Sequence, residues 1–291
     1  MRTPKGRFLV GYVATHFGRD ALNLAISLAQ GRDVHIDIVM VVPVDNAYSG
    51  IYPHDRGYAS IVEEQMAQWL QDALDRVPEG ISATGRIVAG ESEAETLHRT
   101  ALDLGADLIV VGARDGAILS RFRVGSVANA LLHSSSVPVA LAPAGFDYTG
   151  PTTRFTAMFG SRPGAPDVVG LAVDRARRRG VPLRLASLVL SDATVLDDVR
   201  ALGDARLTEL AGEMVESGAA TTIIAAGESI EQAMQQLDWQ QGDVVVAGSS
   251  RMAANGRIFI GTTAAKILRT IPVPMLVVPA GYIYDEGGET P

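Results

Sequence analysis

The chain has 291 residues, 47% hydrophobic and 20% charged, with no cysteine and a net charge of −8. That excludes thiol catalysis, disulfides and Cys-ligated zinc, and the length suits two domains of about 150 residues. An acidic chain is a poor partner for nucleic acid or an anionic membrane, and no apolar run is long enough to span a bilayer. The first residues lack the apolar stretch of a signal peptide, so a cytoplasmic location is expected.

Phe8 to Val13 is an apolar run suited to a buried strand, and Leu22, Ala25, Ile26 and Ala29 follow at helical spacing. Asp20, like Asp167 later, reads as a helix N-cap. Val34 to Val42 is a second strand. Asp45 to His54 is a loop beyond its carboxyl end, a surface insertion or alternatively a lid. Val62, Met66, Trp69, Leu70 and Ala73 mark the apolar face of a long helix, and Ile81 to Ala89 holds a third strand. Ser92 and Glu95 form a capping box that starts a helix, and the acidic residues around them suit the positive end of its dipole. Leu108 to Val111 and Val137 to Leu141 are the fourth and fifth strands, with a helix from about Ser126 between them. The strand runs are mostly continuously apolar rather than alternating, the third being interrupted by polar residues, as in a parallel sheet covered on both faces, so the fold expected is doubly wound α/β.

The pattern then repeats. Asp107-Leu-Ile-Val-Val-Gly112 returns as Asp243-Val-Val-Val-Ala-Gly248, Gly125-Ser126 as Gly261-Thr262, and Val137-Pro138 as Val273-Pro274, each 136 residues on. The Ser92 capping box returns at Ser229 and Gln232. Asp20 to Ala25 resembles Asp167 to Ala172 at a spacing of 147, so the first copy is longer in its first half. A period this long is two whole domains rather than a solenoid. The domains expected are 1–147 and 152–283, each a five-stranded, mainly parallel sheet flanked by helices, joined where Gly150 and Pro151 break the pattern.

Ligands in such folds sit beyond the carboxyl ends of the strands. The richest segment there runs from Gly112 through Arg114, Asp115, Gly116, Arg121 and Arg123 to Gly125, Ser126 and Val127. It leaves a strand and enters a helix N-terminus, where glycine allows close approach and free N–H groups favour an anion. The second copy keeps the frame from Gly248 to Gly261 and Thr262, with Arg251 and Arg257. His35, His54, His98 and His133 show no metal-ligand spacing.

These two segments resemble the universal stress protein family, whose nucleotide-binding members carry G-x2-G-x9-G-[ST], and the resemblance covers nearly the whole chain as two tandem domains. It departs from the pattern at the second glycine, where Asp115 and Arg251 stand, and after the first strand, where Val13 and Phe159 replace an aspartate that contacts adenosine. The resemblance implies a stress-adaptation or regulatory role, with ATP or another adenine nucleotide, and Mg²⁺, held in the first copy. Amides around Gly112, Gly116 and Gly125 would hold phosphates, with Arg114 nearby. Ser126 and Val127 would open the phosphate helix, and Val41 would flank the base. Gly248, Gly261 and Thr262 are the matching candidates in the second copy. The resemblance also implies pairing of Val137 to Leu141 with Val273 to Val278 as an intramolecular pseudo-dimer, a homodimer of chains, and a regulatory protein partner. A nucleotide-free interaction or scaffold protein is the alternative. His16-Phe-Gly-Arg19, similar to the H-x-G-H of related nucleotidyltransferases, leaves an enzyme as a second alternative.

Overall fold

A computed structural model of the chain describes residues 4–43, 56–113, 125–159, 165–190, 211–250 and 252–281. The first copy contributes β1 (Gly6–Gly11), α1 (His16–Ala29), β2 (Val34–Pro43), α2 (Arg56–Leu74), β3 (Ser82–Gly90), α3 (Glu93–Asp103), β4 (Leu108–Gly112), α4 (Ser126–Ser134) and β5 (Val139–Ala142). The second contributes β6 (Arg154–Phe159), α5 (Ala165–Arg179), β7 (Leu183–Leu190), the helical residues 211–216 as α6, β8 (Ala220–Gly227), α7 (Ile230–Gln235), β9 (Asp243–Gly248), α8 (Thr262–Thr270) and β10 (Met275–Val278).

Among the described residues one ten-stranded sheet runs β3-β2-β1-β4-β5-β10-β9-β6-β7-β8. Every pairing is parallel except β5 with β10, where Ala140 lies opposite Leu276. The two closing strands therefore pair antiparallel within one chain. Both begin only after a proline, since Pro138 and Pro274 lack the N–H but still accept from Ile109 and Val245.

The central strands are largely apolar because both faces are covered, whereas much of the border strand β3 is exposed. Phe8 and Val10 enter a core with α1, α2, α5 and α6, while Leu9 between them enters a second core with α3, α4, α7 and α8. Met66, Leu70 and Ala73 face the core from α2 as expected, but Trp69 is 38% exposed. Ser92 caps α3 by accepting from the Glu95 N–H at 3.4 Å, and Ser229 caps α7 by accepting from the Gln232 N–H at 3.2 Å.

Asp20 is not an N-cap. Thr15 holds that position, and Asp20 is buried a turn inside α1, where its carboxylate accepts from the Gly145 N–H at 2.8 Å. Asp167 likewise lies inside α5. The copies also differ in buried charge. Asp37, fully buried, binds Arg7 at 3.0 Å, Arg86 at 2.8 Å and the Thr84 hydroxyl at 2.9 Å. The second copy has Arg184 at the matching position, held by the Asp238 carbonyl and stacked 4.6 Å over Trp239. Its buried carboxylate is Asp243, paired with Arg154.

Candidate functional site

The strand order reverses direction beside β1 in the first copy and beside β6 in the second, so each copy has a crevice at the carboxyl ends of these strands. In the first copy, β4 ends at Gly112 and α4 begins at Ser126. Gly125, rather than Ser126, is the N-cap, and as a glycine it offers no side-chain hydrogen bond. The first amides of α4 lack intrahelical acceptors, and the exposed Ser126 hydroxyl stands beside them. Val127 and Val41 rest half-buried on the same apolar cluster, one at the start of α4 and the other near the end of β2. The structure thus brings Val41 and Val127 to one cluster, while Arg114, Asp115, Gly116, Arg121 and Arg123 lie outside the described residues, as does the 45–54 loop.

Gly112 has a packing reason to be glycine. A Cβ there would stand 2.2 Å from the Phe17 carbonyl oxygen, so the first turn of α1 occupies the space a side chain would need. Gly18 is equally constrained, with the Val13 carbonyl 2.0 Å from its Cβ position. Val13 itself is 37% exposed beyond β1. Phe159 is not its counterpart: Met158 pairs with Ala186 as Gly11 pairs with Val39, which places Phe159 where the first copy has Tyr12. Phe159 packs partly buried against the α1–α5 core.

In the second copy Gly248 ends β9, Gly261 is the N-cap of α8 and Thr262 is its first residue, exposed. Ser250 crowds the cradle, since a Cβ on Gly261 would meet its Cβ at 3.2 Å. Residues 257–260 of this loop reach across to the first copy. Ile258 donates its N–H to the Ser135 carbonyl at 2.7 Å, and Ile260 to the Leu132 carbonyl at 2.9 Å. Arg257 donates to the Ser134 carbonyl at 2.8 Å, so it caps the C-terminus of α4. Phe259 meets His133 edge-on at 5.0 Å. Gly248 and Gly261 offered no sequence signal for this bridging role, whereas the alternating Ile258 and Ile260 did carry the apolar pattern of a buried segment.

His16 opens α1 with its ring 3.9 Å from that of Phe17. Among the described residues no group of three or more His, Asp or Glu is placed to hold a metal ion, and no helix is long and apolar enough to cross a membrane.

The architecture is that of tandem Rossmann-like α/β domains joined through their closing strands. The sequence model of the universal stress protein family matches residues 6–143 and again 157–279. The chain belongs to the universal stress protein family. A universal stress protein of Mycobacterium tuberculosis and one of Mycobacterium bovis are each 29% identical over 288 residues, covering 93% of this chain and 99% of the relative. Among solved structures, a universal stress protein from Archaeoglobus fulgidus aligns with a TM-score of 0.64 at 16% identity, covering 96% of this chain and all of the other. One from Pseudomonas aeruginosa aligns at 0.63 and 19% identity, covering 94% and 93%. At these identities the structures speak for the fold.

Proposed function

We propose that the chain is a cytoplasmic stress-adaptation protein that holds ATP or another adenine nucleotide in its first copy. The observation that carries this reading is the start of α4: a glycine cap, an exposed Ser126 hydroxyl and first-turn amides without intrahelical acceptors follow the strand-end Gly112, and half-buried Val41 and Val127 pack on the same apolar cluster. Such an end holds an anion through its N–H groups and dipole. Phosphates would lie against Gly125 and Ser126, with Arg114 and Gly116 contributing from the intervening loop, and Mg²⁺ would arrive with the nucleotide. Val41 would flank the base. The second copy is the weaker candidate, because Ser250 crowds Gly261 and the loop leading to Thr262 is already bonded to α4.

A second reading, a nucleotide-free scaffold for a regulatory protein partner, is favoured by one contact: the Phe17 carbonyl over Gly112 explains that glycine without a phosphate. One experiment separates the two. Heat-denature the purified protein, identify any released nucleotide by absorbance and mass, and measure thermal shifts with Mg-ATP, ADP and AMP. Nucleotide binding requires a shift that Gly125→Val abolishes and Gly261→Val leaves intact. No released nucleotide and no shift leaves the scaffold reading. Pyrophosphate release with a small acid substrate would instead favour an enzyme using His16.

A further inference from the structure

Phe8 and Phe155 hold the same position in the two copies, as do Arg32 and Arg179, both pairs at the 147-residue spacing. Each arginine lies over the ring of its own copy, Arg32 5.4 Å from Phe8 and Arg179 5.5 Å from Phe155. The two stacks line the same small cavity, of about 40 Å³, where the copies meet, and Leu276 of β10 adds to its apolar wall. One water takes roughly 30 Å³ of liquid volume, so this space suits a single occupant near the size of water. Arg175, one turn before Arg179 on α5, adds a third guanidinium where the first copy has Leu28.

The positive charge here is only partly accounted for. Arg179 donates to the Thr152 hydroxyl at 2.8 Å and to the Leu28 carbonyl at the end of α1, but its buried Nε has no partner among the described residues. The side chains of Arg32 and Arg175 make no hydrogen bond or ion pair among the described residues. The lining holds one carboxylate, Asp107, whose Oδ2 accepts from the Arg7 N–H at 2.8 Å, and the neighbouring Asp174 is paired with Arg178 at 2.5 Å. Burial, followed by repulsion from Arg175, holds Arg32 down to about 10. Burial, followed by repulsion from Arg32 and Arg175, holds Arg179 down to about 9. A water in the cavity would accept from the arginines but leave their repulsion in place. An anion of that size accepts as well and cancels the repulsion.

We propose that this cavity holds one compact monovalent anion, chloride, between Arg32, Arg175 and the buried Nε of Arg179. A charged acceptor makes a guanidinium hydrogen bond about twice as strong as a neutral one does. Chloride is a sphere little larger than a water molecule, whereas phosphate and organic carboxylates carry atoms that the space cannot take. Arg32 belongs to the first copy and Arg175 and Arg179 to the second, so the anion joins the copies through charges that otherwise push them apart. The site lies at the Leu108 end of β4, opposite the Gly112 end that leads to Ser126, and is independent of nucleotide.

The test is chloride NMR line broadening on the full chain, with sodium chloride replacing sodium gluconate at constant ionic strength. The excess broadening should saturate, and bromide should displace it while phosphate should not. Arg175→Leu, which installs the residue type found at Leu28, and Arg32→Gln should each raise the half-saturating chloride by about tenfold. Gly125→Val should bind chloride as the parent does. Urea unfolding gives a second readout: exchanging chloride for gluconate should lower the midpoint of the parent and leave that of Arg175→Leu in place. The proposal is overturned if no saturable broadening appears, if phosphate displaces chloride as readily as bromide does, or if Gly125→Val abolishes the signal. It is equally overturned if Arg175→Leu and Arg32→Gln both bind chloride like the parent, or if the parent midpoint ignores the exchange.

Discussion

The Ile258 N–H of the second copy donates to the Ser135 carbonyl of the first at 2.7 Å, which makes the β9–α8 loop a cap on the neighbouring copy's helix. Arg257 completes that cap on Ser134 and also bears on His98, because its charge adds to burial in pushing the His98 imidazole below its ordinary value. Arg257→Ala should cost about 1 kcal/mol in chemical denaturation, the scale of a cation at a helix C-terminus. The same variant should raise the His98 pKa in an NMR titration. An unchanged His98 would place Arg257 away from α4 in solution.

His98 also sets a pH dependence. Its Nε2 accepts from the Ser136 N–H at 3.1 Å, so it serves as the neutral, acceptor form, and protonation removes that bond. Burial lowers the His35 pKa as well. Below the ordinary histidine value of about 6.5 the unfolded chain takes up protons that the folded chain resists, so stability falls as pH falls through this range. The Tm should drop between pH 7.5 and 5.5, and His98→Gln should flatten the slope. A Tm that rises on acidification contradicts this.

Asp37 is the buried hub of Arg7, Arg86 and Thr84. Removing a buried partner leaves charge behind, yet both guanidinium groups reach water, at 29% and 42% exposure. Asp37→Ala should therefore cost about 1–3 kcal/mol in urea unfolding rather than the larger loss of a sealed pair.

Gly112→Ala tests packing against ligand roles. With the Phe17 carbonyl 2.2 Å from the new Cβ, α1 must shift, and about 1–3 kcal/mol of stability should be lost with no nucleotide present. An alanine variant as stable as the parent, but defective only in nucleotide retention, would make Gly112 a phosphate residue instead.

The layered fold was legible because the central strands are buried on both faces and therefore largely apolar, and because Val137-Pro138 and Val273-Pro274 mark where the closing strands start. The starts of α4 and α8 were legible to within one residue, with glycine as the cap. Other features were hidden because they are tertiary. Asp20 carries the residue type of a cap, yet its carboxylate reaches Gly145, far along the chain. Trp69 sits at helical spacing with Met66 and Ala73 but outside the buried stripe. The Phe8–Arg32 and Phe155–Arg179 pairs stood in the sequence at one constant spacing, but only the meeting of the copies turns them into a cavity.

The antiparallel joint of β5 and β10 also decides what the chain offers to others. An open strand edge is a template for further pairing, and this joint consumes the edge each copy would otherwise present at its closing strand. The remaining borders are β3 and β8. Much of β3 is exposed, and it carries Arg86, Ser82 and Thr84 already engaged with Asp37 and His35. Growth of the sheet is thus blocked in the middle by self-completion and discouraged at the β3 border by polar, occupied side chains, which leaves β8 as the border open to further pairing among the described residues.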